Sequence, residues 1–404
     1  MNQTYDLIIV GAGPAGLAAA CCASQAGLKV LLLDEFMKPG GRLLGQLHQE
    51  PGGAWWNGIR EAELLVLEAR EAGADIETGV SVSGLERSSD NGWTIWTVRG
   101  CYRASFVLLA TGAAESANPL PGWTLPGVMS IGAAQVMTNV QRVRVGNRGV
   151  VIGMNVLAMA IMSELRLAGI DLAAIVLPPG NALNGTSSHP AAVLDSLLRF
   201  ADLAPNAMFK YGARVMQQSS LLRELALTLY PKQGMRMLNV PLQLRRCAVE
   251  IVGREAVQGV IVADVTSQGE PIPGSERFIE ADFVCIAGGL YPLAELAAVA
   301  GCPFRYVPEL GGHVPVHYEN MQTPLPGLYV AGNITGVESA KVAIAQGKVA
   351  GLSIAISAAA VKAPSEVELL GAMEQVKQTR REALIQFHPD IASSRAKLYE
   401  SEVV

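Results

Sequence analysis

Apolar residues along this chain fall into short runs separated by glycine-punctuated helical stretches, the alternation that builds a parallel sheet covered by helices. Residues 6–10 (DLIIV) form a strand-length apolar run. An alanine-rich helix is expected over 17–25 with Gly27 closing it, and residues 30–33 make a second apolar run. Residues 106–112 (FVLLATG) read as a further buried strand. The pattern restarts at residue 147, with a strand at 149–152, a helix at 159–167 ended by Gly169, and a strand at 172–177. A helix rich in small residues follows at 337–355, and a polar one at 366–385. The fold class this predicts is α/β.

Composition narrows the picture. With 404 residues, half of them hydrophobic, the chain suits two or three domains. Forty-two glycines against 5% aromatics favour tightly turned α/β structure over a β-sandwich. The net charge of −5, without a basic run, argues against nucleic acid. The most apolar stretch, residues 351–361, is about half of the roughly 20 residues a membrane span needs. A strand begins directly after the first five residues, leaving no room for a signal peptide, and six cysteines show no regular framework. A cytoplasmic protein is expected.

The first strand runs into Gly11-Ala12-Gly13-Pro14-Ala15-Gly16. In such a strand–loop–helix unit the first glycine makes the tight turn, the second lets backbone approach a pyrophosphate, and the third lets helix pack on strand. The pyrophosphate then sits on unpaired N–H groups at the positive end of the helix. Asp34, with Glu35 as its near alternative, ends the second strand where an acid would hold ribose hydroxyls. Strand, glycines, helix, strand and acid in this order point to a bound dinucleotide.

Two further segments carry a family resemblance. Thr323-Pro324-Leu325-Pro326-Gly327-Leu328-Tyr329-Val330-Ala331-Gly332-Asn333 is similar to the TPxPGLYVAGD segment of two-dinucleotide flavoproteins, thioredoxin reductase and its relatives. Pro39-Gly40-Gly41-Arg42-Leu43-Leu44-Gly45-Gln46 resembles the loop that wraps FAD in that family. The resemblance implies FAD, held by Gly11, Gly13, Pro14, Ala15, Gly16, Asp34 or Glu35, Gly41, Arg42, Gln46, Ala110, Thr111, Gly112, Gly332, Asn333 and Ala343. Asn333 stands where the family has an acid, and an amide can still bond a ribityl hydroxyl. Ala343, Gln346, Gly347 and Ala350 either let a planar ring approach the helix or serve ordinary packing. The FAD domain is then discontinuous, 1–120 and 270–360, with an insert at 121–269 and a helical tail at 361–404 expected to pack on a neighbour.

The insert sits where the family places its NAD(P)H domain, but its loop reads Gly153-Met154-Asn155-Val156-Leu157-Ala158. Asn155 and Ala158 replace the second and third glycines. The next strand ends in Leu177-Pro178-Pro179, with neither an acid for a ribose nor an arginine for a 2′-phosphate. The fold is expected to be retained, while tight NAD(P)H binding is not.

No redox-active Cys-x-x-Cys is present, and the adjacent Cys21 and Cys22 read as helix packing. His313 and His317, separated by Pro315 in an extended stretch, make a poor metal pair, and no metal is expected. His48 and Lys341 are the remaining catalytic candidates. Each is either a flavin neighbour or an ordinary structural or solvated residue. Trp55-Trp56 either shields a flavin or plugs a core.

The run from Ala110-Thr111-Gly112-Ala113-Ala114-Glu115 through Pro121-Gly122-Trp123-Thr124-Leu125-Pro126-Gly127-Val128 to Gly132-Ala133-Ala134-Gln135 looks like one shared by a narrower group. These are the FAD-containing subunits of opine oxidases, hydrogen cyanide synthase and heteromeric proline or hydroxyproline dehydrogenases. The resemblance implies an electron-transferring FAD subunit with an amino-acid-oxidase-like flavoprotein partner. No cysteine follows Cys302, so any iron–sulfur centre would come from a further small protein or be absent. The other readings are a self-contained NAD(P)H-dependent reductase and a non-catalytic FAD-bound scaffold.

Overall fold

The computed structural model describes residues 4–50, 52–89, 91–199, 220–231, 233–237, 239–384 and 386–400. Two compact units emerge: residues 1–44, 57–114 and 290–404 form the first, and residues 45–56 and 115–289 the second. The short segment 45–56 thus falls with the second unit, and the return to the first comes at residue 290.

The first unit opens with β1 (Thr4–Val10), α1 (Pro14–Gln25) and β2 (Val30–Asp34), followed by α2 (Gly58–Glu71) and β3 (Asp75–Thr78). A meander of β4 (Val82–Arg87), β5 (Trp93–Thr97) and β6 (Gly100–Leu109) completes this half. The sheet order is β3-β2-β1-β6-β5-β4, parallel across its first four strands. Leu7, Ile8 and Ile9 of β1 and Leu31, Leu32 and Leu33 of β2 have no exposed surface. That is why these strands read as unbroken apolar runs: both faces of a parallel sheet are covered.

The second unit repeats the plan with α3 (Ile131–Gln135), β7 (Arg148–Ile152), α4 (Val156–Leu167) and β8 (Asp171–Leu177). It continues through the long β9 (Val240–Gly253), β10 (Val257–Asp264), β11 (Arg277–Glu280) and β12 (Phe283–Ile286). Strands run in the order β12-β7-β8-β9-β10-β11; β12 to β9 are parallel and the last three antiparallel.

The chain then returns to the first unit. Here β13 (Leu328–Val330) joins β6 in parallel, and α5 (Ala340–Ser357) leads to α6 (Glu366–Arg381) and α7 (Ile391–Glu400). Ser365 and Glu368 form a reciprocal capping box that starts α6. The end of the expected helix at Ile385 lies outside the described residues. Expected to pack on a neighbour, the tail instead packs on its own unit. Val376 joins the core around α1 and α5, while Ile391 and Leu398 cover Leu310 and Val314. Its polar sequence hid this, because only a few positions per helix are buried. Among the described residues, no helix is long and apolar enough to cross a membrane.

Candidate functional site

In the first unit the turns that carry the candidate glycines, after β1, β2, β6 and β13, lie at the carboxyl ends of strands, the edge where open α/β sheets bind ligands. Gly11 follows β1 at φ +107, and a Cβ there would lie 2.4 Å from the carbonyl oxygen of Ala110. Gly16 packs so tightly that its Cβ would lie 1.9 Å from Gly11 O. Gly13 differs. A Cβ on it would meet no described atom within 4 Å, and no side chain caps the N-terminus of α1, where Pro14 and Ala15 begin the helix. Open space above an uncapped helix N-terminus fits a pyrophosphate.

Neighbouring candidates converge on this loop. Asp34 Oδ2 accepts from Ala12 N–H at 2.6 Å and Oδ1 from Phe36 N–H at 2.8 Å. Burial pushes its carboxyl above the usual range, against these two bonds. Both oxygens keep lone pairs for ribose hydroxyls. Glu35 beside it is exposed. Gly40 N–H donates to Ala12 O at 2.7 Å, and a Cβ on Gly41 would lie 3.0 Å from Gly13 Cα. Arg42 Nε reaches Ala113 O at 3.0 Å, just beyond Ala110, Thr111 and Gly112. Thr111 Oγ1 donates to Leu293 O at 2.5 Å.

The C-terminal motif arrives on the same side. Gly332, at φ +78, would place a Cβ 2.9 Å from Ala15 Cβ and 3.8 Å from Ala343 Cβ. Gln346 Oε1 accepts from Gly332 N–H at 2.9 Å, and Asn333 Oδ1 accepts from Glu338 N–H at 3.2 Å. The small residues of α5 divide their work. A Cβ on Gly347 would lie 2.1 Å from Ala15 O, and one on Gly351 2.6 Å from Ala19 O. These two glycines therefore let α5 cross α1 at close range. Lys341 is exposed in the first turn of α5.

Gln46 and His48 belong to the second unit, Gln46 just before the strand Leu47–Gln49 and His48 within it. Gln46 Oε1 accepts from Trp56 Nε1 at 3.1 Å, and His48 stacks on Trp56 with ring centroids 6.2 Å apart. A buried carboxylate anchors the start of this strand. Glu164 accepts from Leu47 N–H at 3.1 Å, Gln135 Nε2 at 2.7 Å and Asn139 Nδ2 at 2.8 Å. Asn139 lies in a π-helical turn (Val136–Val140), and its Nδ2 also reaches Gly45 O at 2.6 Å. Burial pushes the Glu164 carboxyl up to about 7, although all three hydrogen bonds favour its charged form.

The second glycine loop is closed by its own side chain. Asn155 Oδ1 accepts from Ala158 N–H at 2.9 Å and Nδ2 donates to Ala287 O at 2.9 Å. One of the donors a phosphate would use is already taken, and the asparagine side chain occupies the place above it. Asparagine three residues before an early helical residue is an N-cap signature, a signal present in the sequence beside the missing glycines.

The remaining candidates scatter. His313 lies against the Tyr306 ring, whereas His317 is fully buried with Nδ1 on Pro315 O at 2.7 Å, and burial pushes its pKa down to about 3. No disulfide links the cysteines, and burial pushes the thiols of Cys22 and Cys285 up to about 11 and about 12. Glu338, Arg380 and Arg395, which close a buried ion cluster beside Gly332, carried no sequence signal. Their partners are distant in the chain.

The model of the pyridine nucleotide-disulphide oxidoreductase family matches residues 5–347. An opine oxidase subunit from Agrobacterium tumefaciens (strain Ach5) is 30% identical over 366 residues, covering 87% of this chain and 66% of that protein. Hydrogen cyanide synthase subunit HcnB of Pseudomonas aeruginosa is 25% identical over 390 residues, covering 92% and 76% respectively. L-proline dehydrogenase from P. horikoshii shares the fold, with a TM-score of 0.66 at 21% identity over 93% of this chain and 59% of that one. The chain spans 66% and 63% of the first two opine oxidase subunits it matches.

Proposed function

The chain belongs to the pyridine nucleotide-disulphide oxidoreductase family, as an FAD-dependent oxidoreductase, and from that premise we propose that it is the electron-transferring FAD subunit of a heteromeric dehydrogenase or oxidase acting on amines, imino acids or opines. The observation that carries this reading is the Asn155 cap. A helix N-terminus capped by its own side chain offers a pyrophosphate less than an open one, and Leu177 provides no side-chain acceptor for a ribose hydroxyl. The reducing equivalents then come from a C–N donor, not from NAD(P)H bound to this chain.

Gly11, Gly13, Pro14, Ala15 and Gly16 would hold the pyrophosphate of FAD, and Asp34 the adenosine ribose. Gly332 and Asn333 would meet the ribityl chain, with Gly41, Arg42, Thr111, Gly112 and Ala343 completing the enclosure. Bound FAD would supply the redox chemistry, carrying onward the electrons that a substrate-oxidising partner draws from the C–N donor. The protein's part is to bind and orient it. The similar proteins named as subunits support a heteromeric assembly. The partner fitting this role is an amino-acid-oxidase-like flavoprotein, with a small iron–sulfur protein as onward carrier. Six cysteines without a regular framework in the sequence support a reducing compartment, the cytoplasm.

The test is an anaerobic titration of the yellow holoprotein with NADH and NADPH, following the visible flavin band. No bleaching by either nucleotide, with full bleaching by dithionite, is expected. Rapid bleaching at micromolar nucleotide would make the chain a self-contained reductase and overturn the proposal.

A further inference from the structure

The segment joining Gly332 to α5 is gripped by the tail. Arg395 of α7 is 1% exposed, and its Nη2 reaches Glu338 Oε2 at 2.7 Å, Thr335 Oγ1 at 3.2 Å and Gly336 O at 3.4 Å. Arg380 of α6 forks onto the same carboxylate, Nε to Oε1 at 2.5 Å and Nη2 to Oε2 at 3.2 Å. Room for this is built in. Gly336 stands at φ +131, and a Cβ on it would lie 2.9 Å from Arg395 Nη2.

Both arms of the cluster end on the cofactor motif. Thr335 Oγ1 donates to Gly332 O at 2.9 Å, and Glu338 N–H donates to Asn333 Oδ1 at 3.2 Å. Glu338 N–H takes one lone pair of Oδ1 and fixes the amide's orientation, so Asn333 presents its Nδ2 donor beside the remaining lone pair of Oδ1. A buried Arg–Glu–Arg cluster is a weak source of stability, because desolvation offsets most of the Coulombic gain. Its distinctive effect is geometric: two guanidiniums leave Glu338 a single placement.

We propose that Arg395, supported by Arg380, is a positioning residue for FAD: it sets Thr335 and Glu338 so that Gly332 and Asn333 meet the ribityl chain, with Asn333 donating through Nδ2. This rests on the reading of Asn333 as a cofactor contact. FAD binding and the docking of α7 are then linked, and linkage is reciprocal. Whatever undocks Arg395 from Thr335 and Glu338 weakens FAD binding, and FAD tightens that docking.

The experiment titrates FAD into the full-length apoprotein of wild type, Arg395→Met, Arg395→Lys, Asn333→Ala and Val376→Ala, with melting temperatures measured alongside. Affinity should fall about tenfold or more in Arg395→Met, within the usual range of coupling between sites. Arg395→Lys should recover part of it, since lysine keeps the charge but lacks the planar guanidinium whose Nη2 meets Glu338, Thr335 and Gly336 together. Val376→Ala loosens the tail's apolar packing away from the ion cluster. It should cost more melting temperature than FAD affinity. In wild type, amide exchange across residues 391–400 should slow when FAD binds. If Asn333→Ala weakens FAD binding and Arg395→Met does not, the inference fails while the reading of Asn333 stands. If neither weakens it, both fail. Should Arg395→Met not fold, wild-type exchange decides, and unchanged exchange at 391–400 on FAD binding overturns the proposal.

Discussion

The two glycine loops of this chain are the same backbone with different side chains. Gly11 and Gly153 stand at φ +107 and +111, and a Cβ on either would lie 2.4 Å from a carbonyl oxygen, of Ala110 or Ala287. Gly11 N–H donates to Leu33 O at 2.8 Å, and Gly153 N–H to Val176 O at 2.9 Å. Both following helices run 12 residues and end before a positive-φ glycine, Gly27 or Gly169. The differences lie at the positions that would face a nucleotide. Gly13 corresponds to Asn155, Gly16 to Ala158, and Asp34 to Leu177. A turn glycine is demanded by the strand-to-helix connection whether or not anything binds. The ligand-facing positions have no such constraint, and in the second unit they satisfy the helix from within.

Transplanting the second loop's asparagine into the first puts this directly at risk. Gly13 already has the extended backbone that Asn155 adopts, so Gly13→Asn can cap α1 without strain. The variant is expected to purify colourless, with FAD affinity down by about a hundredfold, the scale of losing hydrogen bonds to a charged group. Its apoprotein melting temperature should be unchanged or slightly higher. Retained FAD, seen in the visible spectrum, would mean that the cap does not exclude a pyrophosphate.

The next effect is confined to the second unit. The ninth residue of α1 is Cys22, which lies against Gly351 of α5; the ninth of α4 is Glu164. Burial holds the folded Glu164 carboxyl near 7 against an ordinary 4.5. The folded state therefore binds the proton more tightly than the unfolded state. Its contribution to stability is complete below pH 4.5 and is lost as pH rises through about 7, on the order of 3 kcal/mol. Denaturant melts from pH 4.5 to 8 should show the second unit weakening across that window. In Glu164→Gln the dependence should flatten. An unchanged slope would assign the titration to another group.

Smaller effects follow at the other two contrasting sites. Gly16→Ala drives a Cβ onto the Gly11 carbonyl, backbone that cannot step aside, and should cost about 2 kcal/mol in chemical denaturation. The converse, Ala158→Gly, should cost only about 1 kcal/mol through helix propensity. Equal costs would show that the two helices pack alike. Smallest is Asn155→Ala, about 1 kcal/mol for the lost cap, read from thermal melts. Nucleotide-driven bleaching should remain absent there, because Leu177 still offers no ribose acceptor.

The first dinucleotide unit was readable because its constraints are local. Turn, helix N-terminus and acid lie within about thirty residues, and each requires a particular residue type. The second unit was readable as fold for the same reason, through Gly153, Gly169 and two apolar strands. The closure of its loop was only half visible. The missing glycines stood out, whereas the capping pair Asn155 and Ala158 became evident once the side chain was seen to turn inward. Gly347 shows the reverse case, since its smallness suits a ring or a helix equally, and the 2.1 Å approach to Ala15 O decides for the helix.

From the order of residues alone come the α/β class, the two strand–loop–helix units, the open first loop with Asp34 behind it, and the absence of a Cys-x-x-Cys motif. These depend on periodicity and on stereochemistry over short spans of chain. Three-dimensional packing alone decided that Arg380 and Arg395 would meet Glu338 across more than forty residues, and that Glu164 would find Gln135, Asn139 and Leu47. It also turned a polar tail into part of a buried core. A charged side chain is soluble enough to pass for surface anywhere in a sequence. Only the folded chain brings up the partner that makes its burial tolerable.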